Sequence, residues 1–227
     1  MSADLSIINM SQSDKQTSPL IHKFLPNPSA CFRMLVIASS GSGKSNMIKN
    51  LIMRPGFGFK QHYKQDIFII SETLGLDQTW DDVPLPKHHK MNRWSEPLVR
   101  QMMEYSKKSK RGTLWILDDL VCCNSAVNRN KTTLLDRLFM MGRHYKISLI
   151  ITTQKYKQLP PTMRVNASHT IAFALSNITE RKSFLSDHSH IKTIEQKYDI
   201  ATAKPYHFLY INKSKMKTFR NFEEELL

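Results

Sequence analysis

The sequence predicts an α/β fold in which a mostly parallel central sheet is flanked by helices. Short apolar runs, each long enough for one buried strand, recur along the chain and alternate with stretches of helical periodicity. The runs are apolar on both faces, which is typical of parallel strands covered by helices. Several of them end in a polar or acidic residue, as strands do at the edge where an α/β sheet binds its ligand.

Composition places the chain among globular proteins. Its 227 residues suit one domain with a full core, and 41% hydrophobic with 23% charged residues fits that class. No apolar run approaches the ~20 residues of a membrane span, and the first ten residues do not resemble a signal peptide. Cys31, Cys122 and Cys123 lack metal-ligand spacing. We therefore expect reduced thiols, an intracellular protein and no membrane partner.

The chain is predicted to have three regions. Residues 1–28 are polar, Ser-rich and interrupted by prolines, so we expect a mobile N-terminal arm. Residues 29–211 contain the predicted strands and helices and form the domain. Residues 212–227 are expected to form a basic and then acidic C-terminal tail, in which an alternation of Lys with Ser, Met and Thr also suits an extended strand.

A strand at 31–38 leads into the stretch Ala38-Ser39-Ser40-Gly41-Ser42-Gly43-Lys44-Ser45, and a helix over roughly 44–53 follows. This is the sequence context of a phosphate-binding P-loop, in which backbone N–H groups and the helix N-terminus bind a polyphosphate. Lys44 is expected to reach the β- and γ-phosphates of ATP, and the Ser45 hydroxyl to ligate Mg²⁺. The pattern usually begins with Gly, and Ala38 stands there. The alternative is a Gly/Ser turn that binds nothing.

The remaining elements follow in order. Pro and Gly at 55 and 56 end the first helix, Lys and Arg at 107–111 suit the end of another, and Gly142 stops a third. We expect strands at 66–71, 113–119, 147–154, 169–175 and, at an edge of the sheet, 206–211. We expect helices at 96–110 and 132–142, a short helix near 159–166 and one or two between 177 and 198, with loops at 79–91 and 121–131.

Two strand ends supply candidate catalytic groups. The run Thr113–Leu117 is followed by Asp118 and Asp119, which places both carboxylates at the carboxyl edge of the sheet. Asp118 is expected to hold Mg²⁺ directly or through water, and Asp119 to orient or deprotonate the attacking water. Gln154, at the end of the strand from Ile147, can reach a γ-phosphate or its water. The alternatives without a catalytic role are an Asp-Asp turn at the end of a strand and an ordinary glutamine in a loop.

Taken together, these motifs resemble those of the genome-packaging ATPases of poxviruses, giant viruses, virophages and related large DNA transposons, in the FtsK–HerA superfamily. The resemblance covers roughly residues 30–211. Its more specific part is the step Gly142-Arg143-His144-Tyr145 before a strand that ends in Thr152-Thr153-Gln154. It implies a P-loop NTPase of the RecA-like (ASCE) type, with one strand between the P-loop strand and the strand that ends in Asp118.

The resemblance also implies roles and partners. Arg143 corresponds to an arginine that acts on the ATP of a neighbouring subunit, with Arg129 and Arg137 as competing candidates, and Gln154 corresponds to the sensor glutamine. The implied assembly is a ring, usually a hexamer, that threads double-stranded DNA; capsid vertex proteins are further candidate partners. The implied location is the cytoplasmic virus factory of a host cell, with the virion as a second site. Asp119 departs from the family, which more often has Glu.

The net charge of +14 favours a polyanionic partner, and nucleic acid fits best. The function predicted is therefore an ATP-driven motor that packages double-stranded DNA. Two alternatives are a P-loop kinase of nucleotides or small molecules, and a basic DNA-binding protein with a degenerate nucleotide site that does not hydrolyse ATP. An Asn-Lys-x-Asp guanine signature is absent, because Thr132 and Thr133 follow Asn130-Lys131.

Overall fold

A nine-stranded sheet forms the centre of the protein in the computed structural model, which describes residues 24–57, 59–119, 126 and 132–227. The strands are β1 Arg33–Ile37, β2 Ile67–Ser71, β3 Lys90–Met91, β4 Thr113–Asp118, β5 Ile147–Thr153, β6 His169–Phe173, β7 Phe208–Asn212, β8 Lys217–Arg220 and β9 Glu224–Glu225. Their order across the sheet is β3-β2-β4-β5-β1-β6-β7-β8-β9. The first six in this order are parallel, and β7 to β9 continue the sheet in antiparallel pairs.

The central strand β1 shows why the sheet needs cover on both sides. Met34 and Val36 face one hydrophobic cluster, and Leu35 and Ile37 face the other. All four side chains are fully buried. Because side chains alternate between the faces of a strand, a continuous apolar run places a core on each side. This position between β5 and β6 fixes the loop that follows β1 at the middle of the sheet.

Seven helices among the described residues cover the two faces. They are α1 Lys44–Met53, α2 Phe59–Tyr63, α3 Glu96–Lys108, α4 Leu134–Met141, α5 Pro161–Asn166, α6 Ile178–Asp187 and α7 Ile194–Thr202. The buried side chains of α1 and α2 belong to one hydrophobic cluster and those of α3 to α7 to the other. The start of α4 is fixed by a capping box between Thr133 and Asp136. The α/β fold class predicted from the sequence is therefore confirmed.

The two ends of the chain differ from the prediction. Residues 1–23 of the predicted arm lie outside the described residues, but Phe24 and Pro28 at its end contact the domain. Their carbonyls accept hydrogen bonds from the hydroxyls of Tyr210 and Tyr63, at 2.9 and 3.1 Å. At the other end, the boundary after residue 211 does not separate a tail, because β8 and β9 pair into the sheet. Phe219 and Phe222 of this segment are buried, and this apolar surface holds it on the domain.

Two smaller differences concern the edges of the sheet. The strand predicted at an edge, β7, lies between β6 and β8, because the residues expected to form a tail supply the next strand. The predicted loop 79–91 ends in the two-residue strand β3, which pairs with β2. The predicted loop 121–131 lies almost wholly outside the described residues. None of the helices in the described part of the chain is long and apolar enough to cross a bilayer.

Candidate active site

The candidate site lies at the carboxyl edge of the sheet, where β1, β5 and β4 end side by side. Because these strands are parallel neighbours, the loop after β1 and the residues that follow β4 and β5 meet at this edge. The strand order also agrees with the sequence-based expectation: β5 lies between β1, which leads into the loop, and β4, which ends in Asp118.

The loop between β1 and α1 has the backbone of a phosphate-binding turn. Gly41 and Gly43 adopt positive φ angles of 71° and 94°, a conformation that side chains with a Cβ rarely take. The hydroxyl of Ser42 donates to the carbonyl of Ser39 at 2.7 Å and closes the turn. Gly43 caps α1 without a side-chain hydrogen bond. The N-terminal end of this helix therefore faces the loop without a capping side chain, which suits an anion.

Ala38, the departure from the usual glycine, has a simple physical basis. Its φ angle is negative, so the backbone does not require glycine at this position. Its methyl group is completely buried in the cluster beneath α1, and its N–H donates to the carbonyl of Thr153 at 3.1 Å. Ala38 thus extends the pairing of β1 with β5 by one residue, and the loop begins after it.

Asp119 is held at the centre of the site by three contacts. Its carboxylate forms an ion pair with Lys44, and it accepts a hydrogen bond from Nε2 of Gln154 at 3.0 Å. Its backbone N–H donates to Oγ1 of Thr152 at 2.9 Å. The φ angle of 54° turns the chain sharply after β4. Aspartate tolerates this left-handed conformation better than most residues do, which favours Asp over the longer Glu here.

Asp118 lies one residue earlier and is only 5% exposed. Its Oδ1 accepts a hydrogen bond from Oγ1 of Thr152 at 2.6 Å, and its Oδ2 accepts one from Nε1 of Trp80 at 3.0 Å. Ser71, at the end of β2, adds a longer contact of 3.4 Å to Oδ2. These donors fix the orientation of a buried carboxylate that would otherwise be costly to desolvate.

Trp80 and Thr152 were not predicted as site residues. Trp80 is completely buried, although it belongs to a polar segment between β2 and β3. Two contacts hold this segment: Lys90 donates to the carbonyl of Trp80 at 2.7 Å, and Lys49 of α1 pairs with Asp82 at 2.7 Å. The sequence did contain one indication that Trp80 is buried, because it is a large aromatic residue isolated in a polar stretch. Thr152 carried no signal, because its role depends on the pairing of β4 with β5.

The oxygen groups at this edge fit Mg²⁺. The Ser45 hydroxyl is half-buried at the first turn of α1, and the carboxylates of Asp118 and Asp119 are at the end of β4. Mg²⁺ prefers oxygen ligands and usually keeps several waters, with one or two carboxylates and substrate phosphates completing its shell. The buried Asp118 retains lone pairs for the waters of such an ion, since its donors occupy only part of its capacity.

Arg143 is not brought together with these residues. It is exposed on the 3₁₀ turn Gly142–Tyr145, which precedes β5, whereas Gln154 follows β5. The strand has seven residues, and at about 3.3 Å per residue it separates the two on the order of 20 Å. Arg143 therefore lies at the amino edge of the sheet, away from the P-loop of its own chain. Of the competing arginines, Arg137 is exposed on α4, and Arg129 lies outside the described residues.

The fold and this edge define a P-loop protein with a mostly parallel sheet. The chain belongs to the Poxvirus A32 protein family, whose model matches residues 27–212. It is also similar to the uncharacterized protein 088R of Invertebrate iridescent virus 3, at 24% identity over 192 residues that cover 79% of this chain and 69% of that protein. The resemblance seen in the sequence motifs is thereby confirmed at the level of the family.

Solved structures share the fold. The genome packaging NTPase B204 of Sulfolobus turreted icosahedral virus 2, in complex with AMP, matches with a TM-score of 0.62 and 22% identity, over 86% of this chain and 98% of that chain. B204, the DNA-packaging ATPase of Sulfolobus turreted icosahedral virus, matches with a TM-score of 0.63 and 19% identity, over 85% and 97%. At such identities the likeness establishes the architecture.

Proposed function

We propose that this protein is an ATP-hydrolysing motor that translocates double-stranded DNA and packages a viral genome into its capsid. The observation that carries the proposal is the convergence of Lys44, Asp119 and Gln154 at the end of a phosphate-binding loop, beside the buried Asp118. The family to which the chain belongs and the similarity to B204, a genome packaging NTPase, support this proposal.

In the proposed mechanism, the loop of residues 38–45 binds the phosphates of ATP, and Lys44 contacts the β- and γ-phosphates. Asp119 accepts a proton from the attacking water while the water oxygen bonds to the γ-phosphorus. The bond between the γ-phosphorus and the bridging oxygen breaks, and ADP leaves with its electron pair. Gln154 orients that water or the γ-phosphate. Ser45 and, directly or through water, Asp118 would hold Mg²⁺, and the bound ion would supply neutralisation of charge on the phosphate oxygens.

We assign Arg143 to the site of a neighbouring subunit. It is exposed and lies on the opposite edge from its own P-loop, so within one chain it is poorly placed to contact the nucleotide. In a head-to-tail ring, the amino edge of one subunit can face the carboxyl edge of the next. An arginine supplied in this way stabilises charge on the transferred phosphoryl group and contributes a factor of about 10³–10⁵ in rate. The ring size proposed, six, rests on the family resemblance.

Double-stranded DNA is the proposed substrate of translocation. The net charge is +14. Four of the positively charged residues line a groove of about 690 Å³ at the amino edge together with Asp66: Lys64, Lys108, Lys110 and Arg111. The Asp66 carboxylate accepts hydrogen bonds from the hydroxyls of Tyr105 and Ser109, at 2.6 and 3.0 Å. Such cations suit phosphate contacts, which carry no information about base sequence and weaken with salt.

Three further proposals rest on the family resemblance alone: capsid vertex proteins as partners, the virus factory as the location and the virion as a second location.

The experiment compares ATP hydrolysis and DNA binding in single variants. Lys44→Ala and Asp118→Ala are expected to lose hydrolysis, because they remove the phosphate contact and the metal-side carboxylate, while both still bind linear duplex DNA. Lys182→Ala, which removes an exposed lysine on α6, is the charge-matched control for Lys44→Ala and should hydrolyse at the parental rate. Parental hydrolysis by Lys44→Ala or Asp118→Ala would show that the site is elsewhere. Phosphate transfer to a small acceptor, with a rate indifferent to DNA, would favour the kinase alternative.

A further inference from the structure

Tyr206 is an exposed aromatic residue that packs against the P-loop. A methyl group added at Gly43 would lie 3.1 Å from Cδ1 of Tyr206, so the ring already contacts the loop at this glycine. Despite this contact, 67% of Tyr206 is exposed. Most of its side chain therefore remains accessible beside the loop.

The backbone around Tyr206 is unusual for a bulky residue. Its φ angle is 65°, a left-handed conformation that an aromatic side chain adopts only when the surrounding structure imposes it. The turn before β7 contributes, since the N–H of His207 donates to the carbonyl of Lys204 at 3.2 Å. Observed strain of this kind is concentrated at ligand sites. The turn thus holds Tyr206 in an unfavourable backbone conformation that positions its exposed ring against the loop.

The topology determines which part of a nucleotide would meet this ring. Phe208 of β7 pairs with Phe173 at the end of β6, so Tyr206 lies at the same edge of the sheet as the P-loop. Asp119 and Gln154 follow β4 and β5, on one side of β1, whereas β6 and β7 lie on the other side. The hydrolytic groups must face the γ-phosphate. A nucleotide bound across the loop therefore directs its base toward β6 and β7.

We propose that Tyr206 stacks on the nucleobase of the bound nucleoside triphosphate and forms the base subsite of this protein. The inference rests on the proposed function and adds to it the residue that recognises the nucleoside rather than the phosphates. Stacking uses the flat face that every nucleobase has. A tyrosine offers that face with few rotatable bonds, so little conformational freedom is lost when the base binds.

The test compares binding of ATP with binding of inorganic tripolyphosphate, which has the phosphates but no base. Tyr206→Ala should bind ATP about tenfold more weakly and tripolyphosphate as tightly as the parent does. Tyr206→Phe keeps the ring and should retain parental ATP affinity. In steady-state hydrolysis, Tyr206→Ala should raise KM and leave kcat at saturating ATP nearly unchanged. Ile200→Ala, which removes an exposed apolar side chain of α7, is the control and should bind both ligands normally.

The outcomes separate this inference from the proposed function. If Tyr206→Ala bound ATP with parental affinity, the base subsite would be elsewhere, although the site itself would stand. Equal weakening for ATP and tripolyphosphate would mean that Tyr206 only supports the loop, which also overturns the inference. If the parental protein bound tripolyphosphate but showed no preference for ATP over it, a base subsite would be excluded. If it bound neither ligand, the proposed function would fail together with this inference.

Discussion

Lys44 of the P-loop and Asp119 at the end of β4 form an ion pair across the carboxyl edge of the sheet. The side chains are 13% and 28% exposed, so both charges are largely removed from water. The lysine expected to contact the γ-phosphate is therefore paired with the carboxylate expected to activate water. A phosphate that approaches Lys44 competes with Asp119 for the same ammonium group, and binding of ATP would release Asp119 from it.

This relationship gives opposite expectations for binding and catalysis in Asp119→Asn. The amide cannot accept a proton from water, so kcat should fall by roughly 10²–10⁴-fold. ATP should bind at least as tightly as it does to the parent, because the neutral amide competes less for Lys44. Phosphate release and equilibrium nucleotide binding measure the two effects. Asp81→Asn removes an exposed carboxylate and is the control; a variant at 119 that hydrolyses ATP as fast as this control would remove Asp119 from the mechanism.

Thr152→Val tests the support beneath both carboxylates. The Thr152 hydroxyl donates to Asp118 and accepts the N–H of Asp119, so valine leaves a buried charge and a backbone donor without this partner. We expect the free energy of unfolding to fall by about 1–3 kcal/mol and ATP hydrolysis to fall with it. Denaturant unfolding measures the first effect and phosphate release the second.

The same substitution at a nearby threonine provides the control. Thr170 of β6 is equally buried, and its hydroxyl has no hydrogen-bond partner among the described residues. Thr170→Val should therefore leave unfolding within about 0.5 kcal/mol of the parent or stabilise the fold. Equal effects at the two positions would mean that the hydrogen bonds of Thr152 contribute nothing specific.

Acid should destabilise the protein mainly through two buried histidines, because burial lowers the pKa of a third, His89, by less. Burial and, to a smaller extent, the charge of the nearby Lys215 lower the pKa of His169 to about 3, and burial is the main cause that lowers the pKa of His188 to about 4. Around His188, Lys213 and His190 also lower the pKa, while Asp187 and the Phe184 carbonyl oppose them. The unfolded chain takes up these protons near pH 6.5, so stability is full above that pH and falls below it, by up to about 1.4 kcal/mol per pH unit per histidine.

The measurement is the free energy of unfolding in urea between about pH 7 and about pH 5, a range that stays above most carboxylate titrations. His188→Gln should remove a large part of the slope, at most about half, whatever it does to absolute stability. His144→Gln, at an exposed position, should leave the slope as it is. If His188→Gln and the parent lost stability in parallel, His188 would not contribute to the acid sensitivity.

Arg143 can be tested by mixing inactive variants. Arg143→Ala retains its own P-loop, and Lys44→Ala retains its own Arg143, so adjacent subunits of a mixed ring can form complete sites. Random mixing should restore up to about a quarter of the sites in a head-to-tail ring. A mixture of Lys44→Ala with Asp118→Ala should stay inactive, since both defects lie in the same half of the site. Absence of any recovery in the first mixture would place Arg143 outside the site.

The sequence predicted those features that depend on local chemistry. The bounds of α1 agree with the prediction, because Gly43, the apolar spacing and Pro55 determine them locally. Asp118 and Asp119 follow a buried apolar strand, so their place at the carboxyl edge required only the parallel topology. Whether Asp119 and Gln154 act in catalysis remains a prediction, although the structure places both beside Lys44.

Features that depend on distant segments could not be read from the sequence. Trp80 reaches Asp118 across 38 residues of chain, and Thr152 does so across 34. The segment after residue 211 is basic on its surface, yet it places Phe219 and Phe222 against the core beneath α1. The local charge pattern predicted a tail, but burial of these two aromatic rings stabilises the pairing of this segment with the sheet. The position of Tyr206 on the P-loop likewise depends on how β7 pairs with β6.

The most direct test of the central claim is the rate of phosphate release per subunit as protein concentration is raised, with and without linear duplex DNA. An assembled motor whose sites require a neighbouring subunit should show a rate per subunit that rises with concentration and rises further when DNA is added. A rate per subunit that is constant over the whole concentration range and unaffected by duplex DNA would contradict the account.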